Sequence, residues 1–133
     1  MHRLTVATKA KVELRDVTGE VQEVVQASGV REGVCYLFVP HTTAAVTVNE
    51  HADPSVVEDI IAQLDALVPQ HSRYRHAEGN SPAHIKASIV GPSEVLLVAD
   101  GRLVLGTWQG VFFCEFDGPR SRSLLVKVVA DRP

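Results

Sequence analysis

Sulfur-bearing and aromatic residues are scarce in this 133-residue chain, which has two Cys, one Met, four Phe, two Tyr and one Trp. Cys35 and Cys114 each sit inside an apolar run and have no paired spacing. They make neither a disulfide scaffold nor a zinc knuckle, and are expected to be reduced core thiols of a cytoplasmic protein. Long hydrophobic runs are missing too. No stretch approaches the ~18 apolar residues that cross a bilayer, and Met1-His2-Arg3-Leu4 alternates without a signal-peptide core, so no membrane association is expected. Excess positive charge is also lacking. Lys and Arg number 13 against 16 Asp and Glu, for a net charge of −3. Without a basic stripe interleaved with aromatics, no nucleic-acid partner is expected.

What remains is an ordinary globular composition, 45% hydrophobic and 22% charged, which excludes a disordered chain. A chain this long can bury about two thirds of its surface, enough for one core, so residues 1–133 are expected to form a single domain. Histidine stands out. There are six, at positions 2, 41, 51, 71, 76 and 84.

Periodicity supplies the elements. Residues 2–8 and 11–15 alternate as strands. Residues 18–28 carry a helical stripe of Val21, Val24 and Val25, with Thr18 as cap and Gly29 as stop. Residues 34–39 form a continuous apolar run fit for a buried strand, and 44–48 form another. A helix follows, with Asp53 as N-cap, Pro54 at its first position and a wide stripe of Val56, Val57, Ile60, Ile61, Leu64 and Val68. Residues 69–80 read as a loop. Ser81-Pro82 repeats the cap-then-proline signal for a helix over 82–89. Asp100-Gly101 joins strands 94–99 and 102–105 as a hairpin, and strands over 107–116 and 123–130 close the chain. Strands at both ends with two or three helices between them predict an α+β domain with a mostly antiparallel, half-barrel or sandwich-like sheet.

Several positions could carry chemistry, each with a plainer alternative. His41 follows a strand and precedes Thr42-Thr43; it could equally be a satisfied strand-end residue. Asn49 and Glu50 are not explained by helix capping, as Asp53 is. His76 and His84 flank a Gly-Asn turn. His84 falls in a helix's first turn, whose free N–H groups can receive a phosphate. Both histidines could also be plain loop residues. Alternation along 107–116 places Gln109, Val111, Phe113 and Glu115 on one face, and Trp108, Phe112, Cys114 and Phe116 on a core face. A carboxylate beside Val111 and Phe113 is costly unless paired or bound to a cation, which makes Glu115 a candidate unless it lies at an exposed strand end. Arg120 and Arg122 share a face of the next strand and could grip a phosphate. Together these residues suit a metal-assisted reaction on a small phosphorylated molecule.

The stretches His41-Thr42-Thr43-Ala44-Ala45, Asn49-Glu50 with Ala52-Asp53-Pro54, His76-x-Glu78-Gly79-Asn80-x-Pro82-Ala83-His84-Ile85-Lys86, and Gly106-Thr107-Trp108-Gln109-Gly110 continuing to Glu115 and Asp117-Gly118-Pro119-Arg120 resemble the YjbQ family, in order and over nearly the whole chain. The resemblance implies a small α+β protein that forms homotrimers and has thiamine-phosphate synthase activity. That reaction couples hydroxymethylpyrimidine diphosphate to thiazole phosphate and releases pyrophosphate. His41, His84 and Glu115 would be catalytic, and Asn49, Glu50, Asn80, Gln109, Arg120 and Arg122 would contact the substrate. His41, His76 and His84 would hold a divalent metal. A histidine-rich set favours zinc or another transition metal, whereas Mg²⁺ would arrive with a diphosphate. His51 departs from the family pattern and is given no role. Two other readings stand beside the transferase: a metal-dependent hydrolase of a small phosphorylated metabolite, and a non-catalytic trimer that binds a metal or an anion.

Overall fold

The structure, a computed structural model, describes residues 1–132. The element order is β1 (His2–Ala7), β2 (Glu13–Asp16), α1 (Thr18–Ser28), β3 (Gly33–Phe38), β4 (Ala44–Glu50), α2 (Pro54–Leu67), α3 (Ser81–Val90), β5 (Ser93–Ala99), β6 (Arg102–Leu103), β7 (Gln109–Glu115) and β8 (Ser121–Ala130). The α+β expectation holds, with three helices. Every strand pair is antiparallel. A five-stranded sheet runs in the order β1-β8-β3-β5-β6, and a three-stranded sheet in the order β2-β7-β4. No helix among the described residues is long and apolar enough to cross a membrane.

The two sheets and α1 enclose the main core. Val21 and Val25 of α1 meet Cys35 and Leu37 of β3, Val46 of β4, Val111 and Phe113 of β7, and Leu124 and Val126 of β8. A smaller cluster lies on the other side of the three-stranded sheet, where Ala83 and Ala87 of α3 pack on Ala45, Cys114 and Phe116, flanked by Leu64 of α2. Apolar layers cover both faces of β7, so Gly110 through Phe116 are all buried. Both thiols are free and buried. Burial pushes Cys35 up to about 11 and Cys114 up to about 12, the latter helped by the Glu94 charge.

Local signals act as expected at most boundaries. Asp53 caps α2, accepting the Ser55 N–H at 2.9 Å, with Pro54 behind it. Gly29 ends α1 in the left-handed region at φ 72°. Asp100 and Gly101 both take positive φ (52° and 74°), the twist a two-residue hairpin needs. Gly33 is forced by crowding, because a Cβ there would sit 2.1 Å from the Val129 carbonyl oxygen.

Four expectations are corrected. Thr18 does not cap α1: its hydroxyl points back to Asp16 and also accepts the Val111 N–H, while Asp16 Oδ1 takes the Thr18 N–H at 2.9 Å. The last β-hairpin strand stops at Leu103 rather than 105. The strand expected over 107–116 begins only at Gln109, because residues 106–109 form a turn in which Gln109 Oε1 accepts the Gly106 N–H at 2.8 Å and Gly106 O accepts the Gln109 N–H at 3.0 Å. Trp108 lies in that turn, 62% exposed, and not in the core. Finally, two apolar stripes expected to be buried are only half covered. No residue of α2 is fully buried. On β3, Tyr36 and Phe38 point outward and are 46% and 47% exposed, beside Val95 and Leu97 of β5.

Candidate functional site

The segments that flank β4, α3 and β8 meet around a pocket of about 660 Å³. His41 and Thr43 reach it from the β3–β4 connection, Asn80 and His84 from the start of α3, and Asp117, Arg120 and Arg122 from the turn into β8. Phe38 and Pro92 supply an apolar edge.

Its floor is a buried ion pair. β7 places Glu115 under the pocket with no exposure, and Arg122 of β8 is 3% exposed. Arg122 Nε donates to Glu115 Oε1 at 2.8 Å and Nη2 donates to Oε2. Nη2 also reaches Thr43 Oγ1 at 2.8 Å. Glu115 is satisfied on both oxygens, since the Thr8 hydroxyl lies 2.8 Å from Oε1 and the Asp117 N–H donates to Oε2 at 3.0 Å. Burial by itself raises the Glu115 carboxyl. The hydrogen bonds from Arg122, Asp117 and Thr8, with the Arg122 charge, outweigh it and hold the group below the usual carboxylate range. Gly118 packs against this floor; a Cβ there would sit 2.8 Å from Glu115 Cγ and 2.4 Å from the Ala10 carbonyl oxygen.

The walls present donors. His41 Nε2 accepts the backbone N–H of Ser123 at 2.9 Å. That bond requires an unprotonated Nε2, so a neutral ring carries its proton on Nδ1. Burial pushes the His41 imidazole down, and the charges of Arg122, Arg120 and Arg3 add to the effect against an opposing pull from Glu115. Arg120 stands at the rim, half exposed, and is held by Asp117 through Nε to the carbonyl at 2.9 Å and Nη2 to Oδ2 at 3.3 Å. Asn80 donates to Asp117 Oδ2 at 3.0 Å. Among the described residues its own Oδ1 is buried without a partner. An unpaired buried acceptor is costly, and a ligand N–H or O–H would relieve it.

His41, His84, Asn80, Arg120, Arg122 and Glu115 of the expected site thus converge. Asn49, Glu50 and Gln109 do not. Register pairs Ala44 with Glu115 at the pocket end of β4–β7, and Glu50 with Gln109 at the far end. Six steps of strand separate the ends, about 20 Å. Asn49 Oδ1 there is turned onto the Glu50 N–H at 2.7 Å.

The three expected metal ligands do not form one set. Among the described residues no group of three or more His, Cys, Asp or Glu is placed to hold a metal ion. His41 spends Nε2 on Ser123, and His76 meets His84 edge to face at 5.2 Å between ring centroids. Within one chain, then, these three histidines do not assemble a metal site. Thr8, Thr43 and Asp117 are the functional residues missed in the sequence. Thr43 and Asp117 lie inside the motifs, but nothing about Thr8, at the end of β1, distinguishes it from any strand-end threonine.

Comparison with known proteins agrees over the whole chain. Residues 2–131 match the family described as UPF0047 protein YjbQ-like. A UPF0047 protein of Methanocaldococcus jannaschii is 46% identical over 132 residues, covering 99% of this chain and 96% of that protein. UPF0047 protein YugU of Bacillus subtilis is 46% identical over 127 residues, covering 95% and 96%. A crystal structure of a YjbQ/UPF0047-family protein from Clostridium acetobutylicum superimposes with a TM-score of 0.95 at 46% identity, covering 97% of this chain and all of that one. A YjbQ-like protein from Sulfolobus solfataricus gives a TM-score of 0.94 at 35% identity, covering 98% and 96%.

Proposed function

The chain belongs to the YjbQ/UPF0047 family, and from that premise we propose that its pocket binds a small phosphorylated metabolite and that the protein is a transferase of the thiamine-phosphate synthase type. The observation that carries the reading is the convergence of Arg122, Arg120 and a neutral His41 on one cavity whose buried floor carboxylate is already neutralised. Excess donors facing an open pocket suit an anion with several acceptor oxygens.

The reaction breaks the bond between a pyrimidinylmethyl carbon and the diphosphate oxygen. The electron pair leaves with pyrophosphate, and the thiazole ring nitrogen forms the new bond to carbon. No proton has to be removed to make the thiazolium. The demand on the protein is to stabilise charge on the leaving group, which Arg120, the Nδ1–H of His41 and the outer edge of Arg122 can meet. Any Mg²⁺ enters with the diphosphate as part of the substrate. The buried Asn80 Oδ1 suits an amino group on the heterocycle. Glu115 acts in this scheme as a positioning residue that holds Arg122.

Incubating the purified protein with both substrates and Mg²⁺, and reading thiamine phosphate by fluorescence after oxidation, tests the proposal. Product is expected from the wild type, reduced about 10²-fold by Arg120→Ala. A folded wild type that makes no product overturns it. A second reading, anion binding without turnover, rests on the same donors, since Arg120 and Arg122 face the pocket and would hold an anion whether or not it reacts. It is the one retained if phosphate raises the melting temperature while no product forms.

The proposal extends to a homotrimer in cytoplasm-like, reducing conditions. The family resemblance supplies the number three. The outward Tyr36, Phe38, Val95 and Leu97 support burial against further copies, because an apolar sheet face of this kind is unusual on a monomer. Phe38 also edges the pocket, so a neighbouring copy seated on this face would lie beside the site and could bring its own Asn49, Glu50 and Gln109 there. Light scattering is expected to give three times the chain mass, and a monomer would refute the assembly.

A further inference from the structure

Helix α3 has two working sides. His84 faces the pocket already described, while Pro82, Ala83 and Lys86 face a second cleft of about 690 Å³ on the other side of the helix. Phe116 and Val12 line it from the sheet side, and Asp65, Pro69 and His71 from α2 and the loop after it. Lys11 stands at its edge.

Lys86 is the unusual member. It is almost wholly buried, at 4% exposed. Its ammonium donates to Asp65 and lies 6.0 Å from the centre of the Phe116 ring. No other hydrogen-bond partner meets it among the described residues. Asp65 is a poor match for so buried a cation, because its own side chain is 54% exposed and remains hydrated. An ammonium withdrawn from water is tolerated when its remaining hydrogens are satisfied. Here they face a cleft. A tether between α2 and α3 would need only the ion pair, and an exposed lysine would serve it as well.

We propose that this cleft is a second ligand site, and that it takes a small organic carboxylate. Its oxygens would accept from Lys86 and its apolar body would lie along Phe116, Val12 and Pro82. The charge balance agrees, with Lys11 and Lys86 set against the single carboxylate of Asp65. The inference is independent of the function proposed for the first pocket, which lies across α3.

Benzoate is a suitable probe, followed by amide NMR shifts on the isotope-labelled full chain, with inorganic phosphate as the reporter for the first pocket. Benzoate is expected to shift amides at 11–12, 70–71, 83–87 and 116 in a saturable way. Lys86→Met should weaken it about tenfold or more, the loss of a charged hydrogen bond. Asp65→Asn removes a competing anion and should tighten it about two- to fivefold. Phosphate should bind both variants as it binds the wild type. Absence of saturable shifts, shifts confined to the first pocket, or Lys86→Met binding benzoate like the wild type each overturn the proposal. If Lys86→Met does not fold, Asp65→Asn decides alone: unchanged or weaker benzoate binding marks Lys86 as a tether only.

Discussion

At the scale of single residues, the decisive pair is Glu115 and Arg122. Replacing Arg122 by Met strands a buried carboxylate, and urea denaturation should show a loss of about 3–5 kcal/mol. Glu115→Leu combined with Arg122→Met should recover most of that loss, since two apolar residues leave no orphaned charge. The pH dependence follows from the same neighbourhood. His41 lies below its ordinary value of 6.5 in the folded chain, so the unfolded chain binds its proton first. Stability should therefore fall as pH drops below 6.5, until the folded imidazole titrates as well, and His41→Gln should flatten that part of the profile. Glu115 is also depressed, from 4.5. Its contribution is complete above pH 4.5 and is lost as pH falls through the folded value, where Glu115→Gln should remove the slope. The sequence marked both residues, because a histidine after a strand and a carboxylate on an apolar face each break the local pattern. It could not assign their work. Whether Glu115 meets a cation, a substrate or a proton depends on Arg122 and Thr8, which reach it from β8 and from the end of β1, and strand pairing is invisible to periodicity.

Among the elements, boundaries with chemical punctuation were legible: Asp53-Pro54, Gly29 and Asp100-Gly101 each impose a backbone choice that no tertiary contact had to supply. Asp53→Ala should cost about 1 kcal/mol in a thermal melt. The misplaced boundaries have tertiary causes. Thr18 looks like a cap, but β7 lies close enough for its hydroxyl to accept from Val111, so Asp16 takes over the helix start. Alternation places Trp108 on a core face, but the Gly106 N–H donates to the Gln109 side chain and the chain turns before the strand begins. Gly110 follows, and its missing Cβ makes room for the His51 ring, whose Nδ1 would lie 2.3 Å from it and which pairs with Asp16 at 2.8 Å. Gly110→Ala should therefore destabilise the fold by about 1–3 kcal/mol, and His51→Ala in the same chain should restore most of it. Recovery absent from the double variant would show that the crowding lies elsewhere.

For the whole molecule, the sequence suggested a single site and the fold divides it. Asn49, Glu50 and Gln109 occupy the far end of β4–β7 from His41 and Arg122. Motif order along a chain says nothing about which end of a strand pair each motif reaches. If copies share sites as proposed, mixing inactive His41→Ala chains with inactive Gln109→Ala chains should regain part of the synthase activity, since some mixed sites carry neither lesion. No recovery on mixing would place each site within one chain. Tyr36→Lys with Val95→Lys should yield monomers by light scattering. Glu115 belongs to the three-stranded sheet and Arg122 to the five-stranded one, so the pocket floor is also the rivet between the layers. A lineage exploring new ligands can vary Arg120 or Asn80 one substitution at a time. Positions 115 and 122 exchange readily only as a couple, because each intermediate would carry a loss of about 3–5 kcal/mol before it gained a new preference.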